Sequence, residues 1–289
     1  MDPIEGWTHW PAPAKLNLFL HVVGRRADGY HELQTVFRLL DLSDRIGIRM
    51  RDDGEIVRVE GMPEVPAEQD LAVRAARALQ AATGTRLGAD LWISKCIPAG
   101  GGLGGGSSDA ATVLRALDRM WGCDLGVDRL AELGLTLGAD VPLFVRGTSA
   151  WAEGVGERLQ AIELPPQVYL LLDPGVRVAT GPVFQAPELT RDTPRTTIAG
   201  FLMGDATRND LEPVVCRRYP VVAAAIEWLG GFASARLTGS GGCVFAAIPD
   251  RPTAEHLARR CPPAWRAIVV QSCDRSQLLD RLEHETALR

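Results

Sequence analysis

Between Pro13 and Val23 apolar and polar positions alternate, with Ala14, Leu16, Leu18, Leu20 and Val22 on one side and Lys15, Asn17, Phe19 and His21 on the other. A period of two predicts a half-buried strand, with Lys15 and Asn17 side by side on its second face. The segment "GRRADGY" reads as a turn tipped by Asp28-Gly29, and "ELQTVFRLLDL" and "RIGIRMR" read as two further strands. From Ala67 to Gly84 the apolar spacing becomes helical, with Leu71, Ala75, Leu79 and Ala82 on one face and Gly84 as the stop. "ADLWISKCI" then predicts a strand. After a run of glycines, Ala110, Val113, Leu114, Leu117 and Trp121 recur at helical spacing, with Ser107, Ser108 and Asp109 as candidate caps. "DRLAELGLTLGAD" predicts another helix ending near Gly138.

The second half begins near "LPPQ", Leu164 to Gln167, which suggests a boundary and domains of about 1–164 and 165–289. It reads as the strand "VYLLLD", a polar stretch from Ala186 to Thr197, and a helix near Val214 to Leu229. The segment "ARLTGSGGCVFAAI" follows, then helix, strand and helix to the end. Such irregular alternation predicts two α+β domains and not a doubly wound sheet.

Composition narrows the function. The formal net charge of −5 argues against nucleic acid held on a broad basic surface, while leaving room for an anionic small molecule bound by backbone amides. The opening "MDPIEGWTHWPAP" lacks the basic flank and apolar core of a leader, and no run has the length of a membrane span. Six cysteines without CxxC spacing fit idle thiols in a reducing cytoplasm. Only Lys15 and Lys95 among the 31 basic residues are lysines; a genome-wide bias is the simplest cause, and against such a bias both become candidates for positions where a guanidinium does not substitute.

"CIPAGGGLGGGSSDAATVL" holds six glycines in seven positions between a strand and a helix. Free amides of such a loop and of the first helical turn converge on one spot, so a phosphate is the expected guest; the alternative is a loop whose glycines merely permit close packing. No lysine follows as in a Walker A loop. Gly100, Gly102 and Gly105 satisfy a dinucleotide fingerprint, but the next helix leads into another helix where that fold needs a strand. The HRD and DFG segments of protein kinases are missing.

"PAGGGLGGGSSDAA", "PAPAKLNLFLHV" and "LTGSGGCVFA" together resemble the three motifs of the galactokinase, homoserine kinase, mevalonate kinase and phosphomevalonate kinase superfamily. The additional Gly105 and Gly106, "RRADGYHELQTVF" and "LGADVPLF" are similar to one branch of it, which phosphorylates a diphosphocytidyl methylerythritol. The resemblance runs from about Pro11 to Ala246. It implies an N-terminal domain like ribosomal protein S5 domain 2, a ferredoxin-like C-terminal domain, and an active site in the cleft between them. It also implies ATP and Mg²⁺, a small-molecule substrate, and no membrane partner.

Carried onto this chain, the resemblance makes Asp140 the base for the substrate hydroxyl and Lys15 the cation beside it. On local sequence alone an aspartate just past a helix-ending glycine is more often a turn or cap residue, and it is the family motif that reverses this. Asn17 would orient Lys15 or the substrate. Pro98, Ala99, Gly100, Gly101, Gly102, Leu103, Gly104, Gly105, Gly106, Ser107 and Ser108 would wrap the ATP phosphates, the two serines donating hydroxyls or touching Mg²⁺. Lys95 borders the nucleotide or is a strand-end charge. Gly239, Ser240 and Gly241 close over the phosphates or form a tight turn. Tyr30 would stack on the cytosine, His31 would read its edge, and Phe184 would be the opposing ring with Thr180 nearby. Here the chain has Gly181-Pro182 where that branch has proline directly after the threonine. The rivals are another small-molecule kinase of the superfamily, a nucleotide-binding regulator without catalysis, and a dehydrogenase.

Overall fold

The computed structural model describes residues 6–287, so residues 1–5 of the stretch read for a leader lie outside it. In chain order the first half contains β1 (Thr8–Arg25), β2 (His31–Arg51), β3 (Ile56–Glu60), α1 (Leu71–Thr83), β4 (Gly88–Ser94), α2 (Gly105–Trp121), α3 (Val127–Leu135), α4 (Val141–Arg146), β5 (Ala150–Gly154) and β6 (Arg158–Ala161). The second half contains β7 (Val168–Asp173), α5 (Thr180–Phe184), α6 (Ile198–Leu202), α7 (Glu212–Arg218), α8 (Pro220–Gly230), β8 (Ala235–Leu237), β9 (Val244–Ile248), α9 (Arg251–Arg259), β10 (Arg266–Cys273) and α10 (Gln277–Ala287). The α+β class follows.

β1 and β2 form a long antiparallel hairpin around the turn at Asp28-Gly29, where Gly29 takes φ +88 and the Asp28 carboxylate accepts from the Tyr30 amide. The two strands expected between Glu32 and Arg51 are one strand of 21 residues. Its first part pairs with β5, its last part with β4, and Leu39–Leu40 between them with the end of β10. The sheet runs β3-β4-β2-β10-β7-β9-β8 and so passes through both halves of the chain.

β1 differs from the half-buried strand its alternation predicts. Lys15, Asn17 and His21, all on the expected polar face, are only 3%, 3% and 4% exposed. Register shifts between Pro13 and Lys15 and between Asn17 and Leu20 interrupt the alternation. Neighbouring apolar residues therefore enter different cores: Leu16 joins Leu103 and Tyr169, Leu20 joins Leu211 and Leu237, and Phe19 packs with Trp151. Polar side chains on a doubly covered strand need partners within the protein.

Two helix expectations are corrected. The single helix read near Val214 to Leu229 is two, α7 and α8, because Pro220 forces Tyr219 out of helical geometry, to φ −129 and ψ 81. The expected caps Ser107, Ser108 and Asp109 lie inside α2, which begins behind Gly104 in the left-handed conformation without a side-chain cap. α1 does end at Gly84, and the Asp70 carboxylate caps its start by accepting from the Ala72 amide. All six cysteines are free thiols. Among the described residues no helix is long and apolar enough to cross a membrane.

Candidate active site

A cleft of about 1090 Å³ runs between the glycine loop, the β1–β2 hairpin and the α5 segment, with Lys15, Asp140, Ser107, His31 and Phe184 all on its walls. β1 carries Lys15 in, and the Lys15 amide donates to the Leu103 carbonyl at 3.0 Å, which ties the strand to the glycine loop. The ammonium donates to Asn17 Oδ1 at 2.5 Å, lies 3.2 Å from Asp140 Oδ2, and sits 5.1 Å from the centre of the Phe37 ring. Asn17 is fixed in turn: its Nδ2 donates to Thr35 Oγ1 at 2.9 Å, and its amide donates to Thr238 Oγ1 at 2.9 Å.

Asp140 stands at the N-terminal end of α4, yet its carboxylate caps nothing there. Paired with the buried Lys15 and partly open to the cleft, it has a free oxygen for a substrate proton. Local sequence favours a turn or cap at this position; in the structure the carboxylate makes an ion pair with Lys15 instead.

The glycine loop and the "GSGG" loop interlock. Gly242 and Cys243 donate their amides to the carbonyls of Gly100 and Gly101, both at 3.1 Å. A Cβ on Gly241 would come within 1.9 Å of the Gly102 nitrogen, and one on Gly102 within 2.1 Å of the Thr238 carbonyl oxygen. Close packing therefore explains Gly101 and Gly102, the alternative open for that loop, and it explains Gly241 as well. Gly106 differs, because a Cβ there would meet only Leu71, at an ordinary 3.5 Å. The first amide of α2 to be used within the helix is that of Ser108, which donates to Gly104. Those of Gly105, Gly106 and Ser107 are left for an anion at the helix start.

Lys15, Asn17, Tyr30, His31, Lys95, Pro98 to Ser107, Asp140, Thr180, Phe184, Gly239 and Ser240 all line the cleft. Ser108 and Gly241 do not. Ser108 is fully buried with its hydroxyl unpartnered, and Gly241 faces the glycine loop. Thr180 and Ser240 share a hydroxyl–hydroxyl hydrogen bond of 2.7 Å across the cleft rim.

Lys95 is no isolated strand-end charge. Its ammonium bonds the carboxylates of Asp44 and Asp109, the latter at 2.5 Å, and Asp44 also accepts the amide of Ile97 at 2.8 Å. Burial pushes the Asp109 carboxyl up to about 7, even though Lys95 pulls it down. For Lys95 burial acts to lower the value, but the two carboxylates outweigh it and the net shift is upward. This trio braces the start of the loop against the N-terminal part of α2, just past its first turn.

At the other end of the cleft, the rings of His31 and Phe184 lie 5.2 Å apart at 35°. Tyr30 is 65% exposed at the hairpin tip and touches neither ring among the described ring contacts. Burial, then the charges of Arg191 and Arg25, hold the His31 imidazole below its ordinary value, so it is neutral near pH 7. Sequence reading missed Arg191, Asp44 and Asp109 as site residues. Asp109 directly follows the serine pair, where local pattern points only to a cap. Arg191 lies in an irregular polar stretch with no local signal.

The sequence profile described as "GHMP kinases N terminal domain" matches residues 70–148, and "GHMP kinases C terminal" matches residues 197–266. The 4-diphosphocytidyl-2-C-methyl-D-erythritol kinase of Halorhodospira halophila is 56% identical over 275 residues, 94% of this chain and 95% of the relative. A crystal structure of a 4-(cytidine 5'-diphospho)-2C-methyl-D-erythritol kinase superposes with a TM-score of 0.79 at 34% identity, covering 92% of this chain and 99% of that one. The mevalonate kinase of Methanococcus jannaschii shares the fold, with a TM-score of 0.68 at 16% identity over 94% of this chain and 100% of that one. Matched in both halves and over nearly its whole length, the chain belongs to the GHMP kinase family.

Proposed function

We propose that this kinase transfers the γ-phosphoryl group of ATP to the 2-hydroxyl of 4-diphosphocytidyl-2-C-methyl-D-erythritol, a step of the non-mevalonate isoprenoid route in the cytoplasm. One observation carries the reading: a single cleft holds a lysine–aspartate pair, a helix start with unused amides, and a histidine–phenylalanine pair. The names of the full-length relatives point to the same substrate.

Asp140 accepts the hydroxyl proton as the oxygen bonds to phosphorus, and the bridging oxygen leaves with ADP. Lys15 holds Asp140 in place and offers its remaining hydrogen to charge on the reacting oxygens. Asn17 positions Lys15 from below. The amides of Gly105, Gly106 and Ser107 hold phosphate oxygens, and Gly239 and Ser240 close the opposite wall. Tyr30 and Phe184 cover the two faces of the cytosine while His31 reads its edge. In this reading residues 1–164 carry the catalytic pair and the phosphate loop, and 165–289 supply Phe184 and the closing loop.

Among the described residues no cluster of His, Cys, Asp or Glu could hold a metal by itself. Mg²⁺ beside a nucleotide takes most of its oxygens from phosphate and water and one or two from protein, so it needs no such cluster. Ser107, on the cleft wall, would supply one. Bound there, the ion would draw charge from the phosphoryl group during transfer.

An ATP-consumption assay with the diphosphocytidyl substrate beside homoserine and mevalonate tests the proposal. Turnover is expected with the first alone, and turnover confined to either of the others overturns the reading. Asp140→Asn should lower kcat by roughly 100- to 10,000-fold while ATP still binds.

A further inference from the structure

Arg191 spends four of its N–H groups, three on carbonyls close by in the chain and one on His31. One terminal nitrogen donates to the carbonyls of Phe184 and Ala186 at 3.1 and 2.7 Å, and the other to Leu189 at 2.9 Å. Its Nε–H donates to His31 Nε2 at 3.1 Å. A guanidinium has no acceptor, so the histidine nitrogen facing it presents a lone pair. The proton of the neutral ring then resides on Nδ1, which has no hydrogen-bond partner among the described residues.

We infer that Arg191 sets the base-reading state of His31, locking the Nδ1–H tautomer so that the cleft presents a donor to the cytosine N3. This deepens the proposed function and rests on it. Uracil carries N3–H at the same place, so donor would meet donor and the bond would be lost. The fork geometry serves a second end, since the same guanidinium holds the Phe184 backbone and keeps the two rings in fixed relation. Arg191 is thus a positioning residue that acts through His31. A lysine has one nitrogen and cannot meet all four acceptors at once.

Two measurements on the full chain test this. Imidazole nitrogen NMR at pH 8, with His31 assigned by difference from His31→Gln, should show the Nδ1–H tautomer; a predominant Nε2–H tautomer overturns the inference. The ratio of kcat/KM for the diphosphocytidyl substrate over its uridine counterpart should fall at least about tenfold in Arg191→Met, with the loss on the cytidine substrate carried by KM more than by kcat. An unchanged ratio, or equal losses on both substrates, also overturns it. If the wild-type protein turns over neither substrate, the proposed function fails, and the tautomer measurement still decides the part Arg191 plays.

Discussion

His31 stands at the foot of β2 with Arg25 paired across the hairpin and Arg191 against its Nε2. A proton added to the ring would lose the Arg191 bond and place a third positive charge beside two others. Burial acts in the same direction and is the larger cause, so the folded-state value falls below 6.5. The sign follows from proton counting. As pH drops through 6.5 the unfolded chain takes up a proton that the folded ring refuses, so this contribution to stability is held above that point and lost below it. Binding follows the same titration, because the Arg191 bond that a second proton would break also holds the ring where its Nδ1–H meets the base. KM for the diphosphocytidyl substrate should stay level from pH 8 down past 6.5 and rise only at lower pH. In Arg191→Met the rise should begin at higher pH, because one of the opposing charges is gone. A KM that already climbs at pH 7 in the wild-type protein would contradict the neutral ring.

At the level of elements, the two glycine-rich loops combine different kinds of glycine. Gly241 lies where backbone meets backbone: a Cβ would come within 2.0 Å of the Gly101 carbonyl carbon, and neither side is a flexible side chain that can turn away. Gly241→Ala should therefore push the loops apart, lower stability by about 1–3 kcal/mol and weaken ATP binding together. Gly106→Ala has room for its methyl and suits a helix, so its thermal midpoint should hold or rise slightly while KM for ATP increases. Calorimetry beside ATP kinetics separates the two; a stable Gly241→Ala protein would refute the interlock. The strand, loop and helix around these glycines were legible in the sequence because each depends on local pattern. So were Lys15 and Asn17 as neighbours, since i and i+2 share a strand face. The pairing of Lys15 with Asp140 needed the family motifs, because nothing near either residue points to the other. The interlock of Gly102 with Gly241, the burial of both faces of β1 and the reach of Arg191 to His31 arise from segments distant in the chain. No local period records such contacts.

Across the whole molecule, the seam between the two halves rests on few strand pairs, since β10 meets β2 only at Ser272–Leu40 and Cys273–Leu39. Arg38, in β2 and 1% exposed, reinforces it. Its guanidinium donates to the carbonyls of Leu164 and Pro165 at 3.1 and 3.0 Å, to Ser272 Oγ at 2.9 Å, and pairs with the Asp274 carboxylate. The chain leaves the first half at Leu164–Pro165 and comes back along β10, so one side chain grips both crossings. Beyond that return, α10 lies against β1 and buries Leu278 in the core of the first half. Arg38→Met keeps much of the volume but strands two carbonyls and a carboxylate at a buried junction. Removing one partner of a buried charged network typically costs about 3–5 kcal/mol, because the groups left behind remain desolvated. Asp274 is partly exposed and can turn to water, which favours the lower end of that range. Urea unfolding should show the midpoint falling by that energy divided by the slope, with the slope itself unchanged, and Arg38→Lys, with a single donor nitrogen, should recover only part. A loss below about 1 kcal/mol in Arg38→Met would mean that strand pairing and α10 hold the halves together without it.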